Sequence, residues 1–79
     1  MDALMNLYQA RKHSLLRILL ISDDWTTRRS LNQLGLYAGD RVNVLRRAPF
    51  GGPLVIESRN SRVAISKQLA ERIRVEVLP

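Results

Sequence analysis

The stretch Leu31–Pro53, LNQLGLYAGDRVNVLRRAPFGGP, predicts a helix end, a tight turn, a strand and a glycine–proline loop in succession. Gly35 follows the predicted helix where the chain needs a left-handed residue, a conformation that glycine adopts without a Cβ penalty. Leu31 and Leu36 occupy the two positions whose side chains usually close such an end by apolar contact. The helix is therefore expected to end at Leu34.

A turn and a strand follow this helix end. Tyr37–Asp40 predicts a four-residue turn with Gly39 in third place, where a type II turn needs positive φ. Apolar and polar residues then alternate over Arg41–Ala48, the period of a half-buried strand. Pro49 ends the strand because proline cannot donate to a strand ladder.

The next segment, Phe50-Gly51-Gly52-Pro53, is expected to reverse the chain. Its two glycines tolerate unusual backbone angles, and its proline can open the next strand where a missing N–H does least harm. The segment therefore predicts a tight loop between two strands.

Several of these residues together carry a family resemblance: Leu34-Gly35-Leu36, Gly39, Val42, Val44 and the run Ala48-Pro49-Phe50-Gly51-Gly52-Pro53. In this pattern the chain resembles the FeoA (ferrous iron transport protein A) family, and the similarity covers residues 15–78. The resemblance implies an SH3-like barrel with the first helix inserted between strands one and two.

The first half of the chain predicts two helices and a strand. Met1–His13 has apolar residues at helical spacing and is expected to form a short helix that caps the barrel. Leu15–Ser22 is nearly all apolar, which predicts a strand buried on both faces. Asp23 or Asp24 is expected to cap the helix Trp25–Leu34. In that helix, Leu31 and Leu34 are expected to share one face with Thr27 and Ser30. Trp25 is expected to plug the core, with a recognition residue as the alternative.

The second half predicts three further short strands. Leu54–Ser58 alternates, Arg59–Arg62 is expected to turn, and Val63 and Ile65 point inward again. Ser66 is expected to cap a single-turn helix, Lys67–Arg72. The closing strand places Ile73, Val75 and Val77 inward.

These elements predict one mainly β domain over residues 1–79, with five short strands and residues 1–13 as a cap or tail. A small barrel is favoured over a sandwich because it removes the exposed edges that so small a sheet would leave. The pattern of elements thus predicts a small barrel with a helical insertion, and the resemblance makes it SH3-like.

Composition restricts the chemistry that the chain can carry. It has no cysteine, and His13 is the single histidine, so the usual nitrogen and sulfur ligands of a transition-metal site are missing. The glycines match neither phosphate-binding spacing, and no nucleophile–base pair can be proposed. We therefore expect no catalytic residue, no metal site and no cofactor, and the protein is predicted not to be an enzyme.

Two further properties concern location and partners. The apolar runs are far shorter than the roughly 20 residues needed to span a bilayer, and the N-terminus lacks the pattern of a secretory signal, so the protein is predicted to be cytoplasmic. The net charge of +6 favours acidic partners, but the arginines are scattered along the chain. Nucleic acid is therefore an unlikely partner, and any membrane contact is expected to be indirect.

The family resemblance implies an accessory protein of bacterial ferrous iron transport that acts on the permease FeoB at its cytoplasmic part. The loop and its flanks are expected to bind that partner through Pro49, Phe50, Gly51, Gly52, Pro53, Arg46 and Arg47. Two alternatives stay open: the SH3-like regulatory domain of a metal-dependent repressor, which would require a truncated chain, and a small basic RNA-binding barrel. Phe50 itself is either an exposed docking residue or a plug over a barrel mouth.

Overall fold

The computed structural model of the chain describes residues 5–22, 24–59 and 61–79, which form mainly β structure. In chain order the elements are β1 (Met5–Asn6), a 3-10 helix (Leu7–Gln9), β2 (Leu15–Ile21), α1 (Trp25–Gln33), β3 (Arg41–Arg47), β4 (Leu54–Ser58), β5 (Ser61–Ile65), α2 (Lys67–Ala70) and β6 (Ile73–Val77). The predicted helix inserted after the first long strand and the short helix before the last strand are both present.

The described strands pair antiparallel in one sheet of order β1-β6-β2-β3-β4-β5. The prediction of five strands was wrong, because β1 adds a sixth strand at the edge of β6. The predicted closure was also wrong in these residues, because the outer strands β1 and β5 do not pair with each other. The sheet curves around one core without completing a barrel.

The N-terminal segment differs most from expectation. Residues 1–4 of the expected helix lie outside the described residues, and Met5–Asn6 is a strand that pairs with Arg74 and Val75 of β6. Asn6 then caps the 3-10 helix, with its side chain accepting from the Gln9 N–H and its own N–H donating to the Gln9 side chain. The free edge of β6 and the burial of Leu7 explain why this segment is not one helix.

The core is a single cluster of apolar side chains from every strand but β1 and from both helices. Its buried members are Leu7, Ala10, Leu16, Ile18, Ile21, Leu31, Leu36, Val42, Val44, Leu54, Ile56, Ile65, Ala70, Ile73 and Val75. Alternation along β3, β4 and β6 supplies six of them, two from each strand, as the period of two predicts.

The first long strand is buried on one face only, so the expectation of burial on both faces was wrong. Leu15, Leu19 and Leu20 are exposed. The pairing of β2 with β6 shifts register between Ile18 and Leu20, as a β-bulge does. The bulge breaks the alternation, which puts two consecutive leucines at the surface.

Two residues expected to face the core lie at element ends and are largely exposed. Leu34 follows the last residue of α1, and Val77 is the last residue of β6. An apolar residue at the end of an element loses the cover that neighbouring turns or strands provide. Several boundaries also move, most clearly in the second half, where β5 begins at Ser61, inside the expected turn, and α2 ends at Ala70.

The end of α1 forms the hydrogen-bonding pattern of a Schellman motif. The Leu36 N–H donates to the Leu31 carbonyl at 3.0 Å, and the Gly35 N–H donates to the Asn32 carbonyl at 2.9 Å. Gly35 has a φ of 89°. The side chains of Leu31 and Leu36 are both fully buried, so this end anchors the helix to the core.

The turn after this helix end has the geometry of a type II turn. The Asp40 N–H donates to the Tyr37 carbonyl at 3.1 Å, and Gly39 has a φ of 95°. The Asp40 side chain accepts from the Tyr37 N–H at 3.0 Å and so closes the same turn from the other side. Strand β3 begins directly after the turn, at Arg41.

Within residues 5–22, 24–59 and 61–79, no helix combines the length and the apolar character needed to cross a membrane.

Candidate functional site

The loop between β3 and β4 is a tight hairpin connection. The Gly52 N–H donates to the Pro49 carbonyl at 3.1 Å, and the Ala48 N–H donates to the Pro53 carbonyl at 3.0 Å. Phe50 and Gly51 have φ values of 59° and 73°, and positive φ at both central positions is typical of a type I′ turn. This turn type matches the twist of the flanking strands.

Phe50 is the unusual residue of this loop. Positive φ is a rare conformation for a bulky side chain, with a typical strain of about 1–3 kcal/mol. Its relative exposure is 102%, so the side chain lies wholly in solvent, and the alternative of a plug over a barrel mouth was wrong. The loop therefore combines an unfavourable backbone conformation with a fully exposed aromatic ring.

The two arginines expected to flank the loop behave differently. Arg47 donates through Nη1 to the Tyr8 carbonyl at 2.6 Å and to the Ala10 carbonyl at 2.7 Å, so its guanidinium ties down the N-terminal segment. Arg46 is exposed and lines a shallow groove on the sheet with Leu45, Val55 and Arg62. Arg46 is therefore open to solvent beside the loop, whereas Arg47 contacts the protein's own backbone.

Sequence reasoning missed a second exposed aromatic feature, on the outer side of α1. The prediction that Trp25 plugs the core was wrong, because its side chain is 61% exposed. It lines an open groove of about 370 Å³ with Arg29, Asn32, Gln33 and Tyr37. The Arg29 guanidinium lies over the indole, 5.4 Å from the ring centroid, as in a cation–π contact.

The spacing of residues along α1 could have predicted that Trp25 is exposed. Thr27 and Leu31, four residues apart, form the buried stripe of α1. Trp25 is two residues from Thr27 and therefore about 200° away around the helix, on the opposite side. Trp25 and Arg29 are likewise four residues apart, which places them on one outer stripe.

The start of α1 is fixed by Asp24. Its carboxylate accepts from the Thr26 N–H at 3.2 Å and from the Thr27 hydroxyl at 2.7 Å, and Arg72 Nη1 lies 3.5 Å away. The Thr27 hydrogen bond lowers the pKa of Asp24; partial desolvation opposes this, and the Thr26 amide and the Arg72 charge add to the lowering. The carboxylate thus stays ionised as a cap. Asp23, the other expected cap, lies outside the described residues.

The described residues do not gather metal ligands. No three or more histidine, cysteine, aspartate or glutamate side chains come together there in a way that could hold a metal ion. His13 lies exposed in a turn, with a φ of 68°, and its backbone N–H donates to the Val44 carbonyl at 2.7 Å. The exposed loop and helix face present aromatic rings, guanidinium groups and amides to solvent.

A curved antiparallel sheet around one small core, with exposed aromatic side chains on a loop and a helix, defines a small, mainly β domain. The model of the FeoA domain matches residues 5–77, and the chain therefore belongs to the FeoA domain family. This confirms the resemblance found in the sequence. Comparison with curated proteins finds no match.

Solved structures agree with this membership. A FeoA-like protein from Clostridium acetobutylicum has 25% identity and a TM-score of 0.88, over 100% of this chain and 92% of its own. An iron uptake regulatory protein (FeoA) has 29% identity and a TM-score of 0.87, over 96% of this chain and 100% of its own. A manganese-dependent transcriptional repressor has 24% identity and a TM-score of 0.89, over 99% of this chain but 38% of its own, a likeness of fold alone.

Proposed function

We propose that this protein is a non-enzymatic, cytoplasmic accessory of ferrous iron transport that binds the cytoplasmic part of the permease FeoB. Membership of the FeoA domain family supports the iron-transport setting. Binding rather than catalysis is supported by the surface of the domain, whose unusual features are exposed aromatic and cationic side chains. The barrel-like sheet acts as a rigid platform, and its loop biases the conformation of the partner.

The observation that carries this proposal is the state of Phe50. The residue is fully exposed and sits at positive φ in a hairpin turn, so the fold presents its ring outward at a cost. Large aromatic side chains that enter a partner's pocket supply much of the binding energy of protein interfaces. We therefore assign the anchor role to Phe50 and a supporting role to the rest of Pro49–Pro53.

Charge supports an acidic partner surface. The net charge is +6, and Arg46 is exposed at the end of β3, next to the loop. Opposite charge on the partner would speed association and orient the complex, an effect that weakens as salt rises. Arg47 contributes indirectly, through the backbone carbonyls that it holds.

Phe50→Ala is expected to weaken binding to the permease's cytoplasmic domain by more than about 1 kcal/mol, because it removes the anchor. The thermal midpoint should not fall, since the ring is exposed in the free protein. Titration calorimetry measures the first quantity and circular dichroism the second. Trp25→Ala is the matched control, because it removes another exposed aromatic ring from a different surface and should leave binding close to wild type.

Native affinity of a well-folded Phe50→Ala variant would exclude the loop as the anchor. Equal losses from Phe50→Ala and Trp25→Ala would also contradict the assignment, because the effect would then not be specific to the loop.

A second candidate is a regulatory domain of a metal-dependent repressor. It is supported by the repressor structure, whose likeness extends over 99% of this chain at a TM-score of 0.89. This candidate predicts binding to a DNA-binding partner and none to the permease domain. The titration with the permease domain therefore separates the two candidates.

A further inference from the structure

Tyr8 connects the N-terminal segment to the loop that carries Phe50. We infer that Tyr8 is a positioning residue: it holds the Pro49–Pro53 loop in the conformation that presents the phenylalanine ring. The inference rests on the proposed function in one respect, namely that this loop is the docking element. It also makes Met5–Ala10 part of the binding machinery, although these residues lie some forty positions earlier in the chain.

The direct link is a hydrogen bond across the fold. The Tyr8 hydroxyl donates to the Gly52 carbonyl at 3.1 Å, and these residues are 44 positions apart. Gly52 also closes the turn, because its N–H donates to the Pro49 carbonyl. Tyr8 therefore hydrogen-bonds to Gly52, the same residue whose N–H closes the turn.

Two cationic side chains also lie against the tyrosine ring. The Arg47 guanidinium lies 4.8 Å from the ring centroid, and the Lys67 ammonium lies 5.7 Å from it. Arg47 in addition donates to the Tyr8 carbonyl at 2.6 Å. The end of β3 and the start of α2 thus fix Tyr8, which packs against the core at its inner side.

Lys67, which lies against the Tyr8 ring, also lies close to Gly51 in the loop. A Cβ built on Gly51 would lie 3.8 Å from the Lys67 Cδ, so the lysine stem borders the turn. Tyr8, Arg47 and Lys67 consequently form one group beneath the loop. We call this group the Tyr8 brace.

The loop needs such a brace because its own sequence does not favour its conformation. Phe50 at a φ of 59° is disfavoured for a side chain with a Cβ, and the adjacent glycines give the unfolded loop many alternative states. Contacts from outside the loop therefore add to its own two backbone hydrogen bonds in stabilising the observed turn. The Tyr8 hydroxyl is the part of the brace that bonds to the loop from the N-terminal segment.

Tyr8→Phe tests the brace because it keeps the ring, and with it both cation–π contacts, while removing the hydroxyl. We expect hydrogen exchange at the Ala48 and Gly52 amides to rise roughly three- to tenfold, the factor that one hydrogen bond contributes to an equilibrium. Exchange in β2 and β6 should be unchanged, which a general loss of stability would not allow. Tyr37→Phe is the control, since it removes a hydroxyl of the same kind outside the loop.

The affinity of Tyr8→Phe for the permease's cytoplasmic domain is expected to fall severalfold, with Phe50→Ala measured beside it. Unchanged exchange at the two loop amides would overturn the inference, whatever the affinity. Faster exchange with native affinity, where Phe50→Ala does weaken binding, would also overturn it. If Phe50→Ala itself bound normally, the proposed function would fail, while faster loop exchange in Tyr8→Phe would still support the brace.

Discussion

Replacing Leu36 by alanine is expected to lower the free energy of unfolding by about 2–5 kcal/mol, the usual cost of truncating a buried leucine. Leu36 is fully buried, and its N–H closes the Schellman motif at the end of α1. The substitution leaves a cavity between the helix end and the sheet. Urea unfolding followed by circular dichroism measures the loss.

Leu34→Ala provides a matched control for Leu36→Ala. It makes the same chemical change two residues earlier in the chain, at a side chain that is 46% exposed. We expect it to cost clearly less, because much of that side chain is already in water. Equal losses in the two variants would show that the helix end is not closed by the leucine of the motif.

Gly35→Val is expected to destabilise the protein by roughly 1–3 kcal/mol through backbone strain. Gly35 has a φ of 89°, and a Cβ added there would meet no atom within 4 Å, so the cost comes from the backbone rather than from a clash. For a domain of this size, each 1 kcal/mol lowers the thermal midpoint by about 4–8 °C. A thermal melt of purified protein measures the change.

Gly35→Asn separates backbone strain from other effects of a new side chain. Asparagine tolerates the left-handed region better than valine, so its melting temperature should lie between those of the valine variant and the wild type. A valine variant that melts like the wild type would contradict the left-handed helix cap.

The sequence was most informative where the structure depends on near neighbours. The helix end at Gly35, the turn at Gly39 and the alternation in β3 each involve residues close in the chain, and backbone preferences act over that range. The family pattern added the arrangement of these pieces. It placed a helix after the first long strand and a short helix before the last.

The missed features depend on contacts between distant residues. Strand β1 exists because Met5 pairs with Val75, and no local pattern in a two-residue strand predicts that pairing. The bulge that exposes Leu20 as well as Leu19 arises from the register of β2 against β6. A one-residue irregularity reverses which side chains face the core, and the apolar run could not reveal it.

In the candidate site, too, the sequence predicted the local features and missed those set by distant contacts. The sequence placed a tight loop at Pro49–Pro53, but it left open whether Phe50 points outward or over the core, since that depends on the rest of the fold. It also assigned Arg47 to partner contact, whereas its guanidinium holds the carbonyls of Tyr8 and Ala10. Hydrogen bonds across 37 to 39 positions carry no signature in one sequence.

The central claim is that the protein acts on ferrous iron transport through the loop that presents Phe50. Uptake of radiolabelled ferrous iron by cells that lack the gene, complemented with matched amounts of wild type, Phe50→Ala or Trp25→Ala, tests it most directly. We predict that deletion changes the uptake rate, that wild type and Trp25→Ala restore it, and that Phe50→Ala does not. An uptake rate that deletion leaves unaltered, or that Phe50→Ala fully restores, would contradict the account.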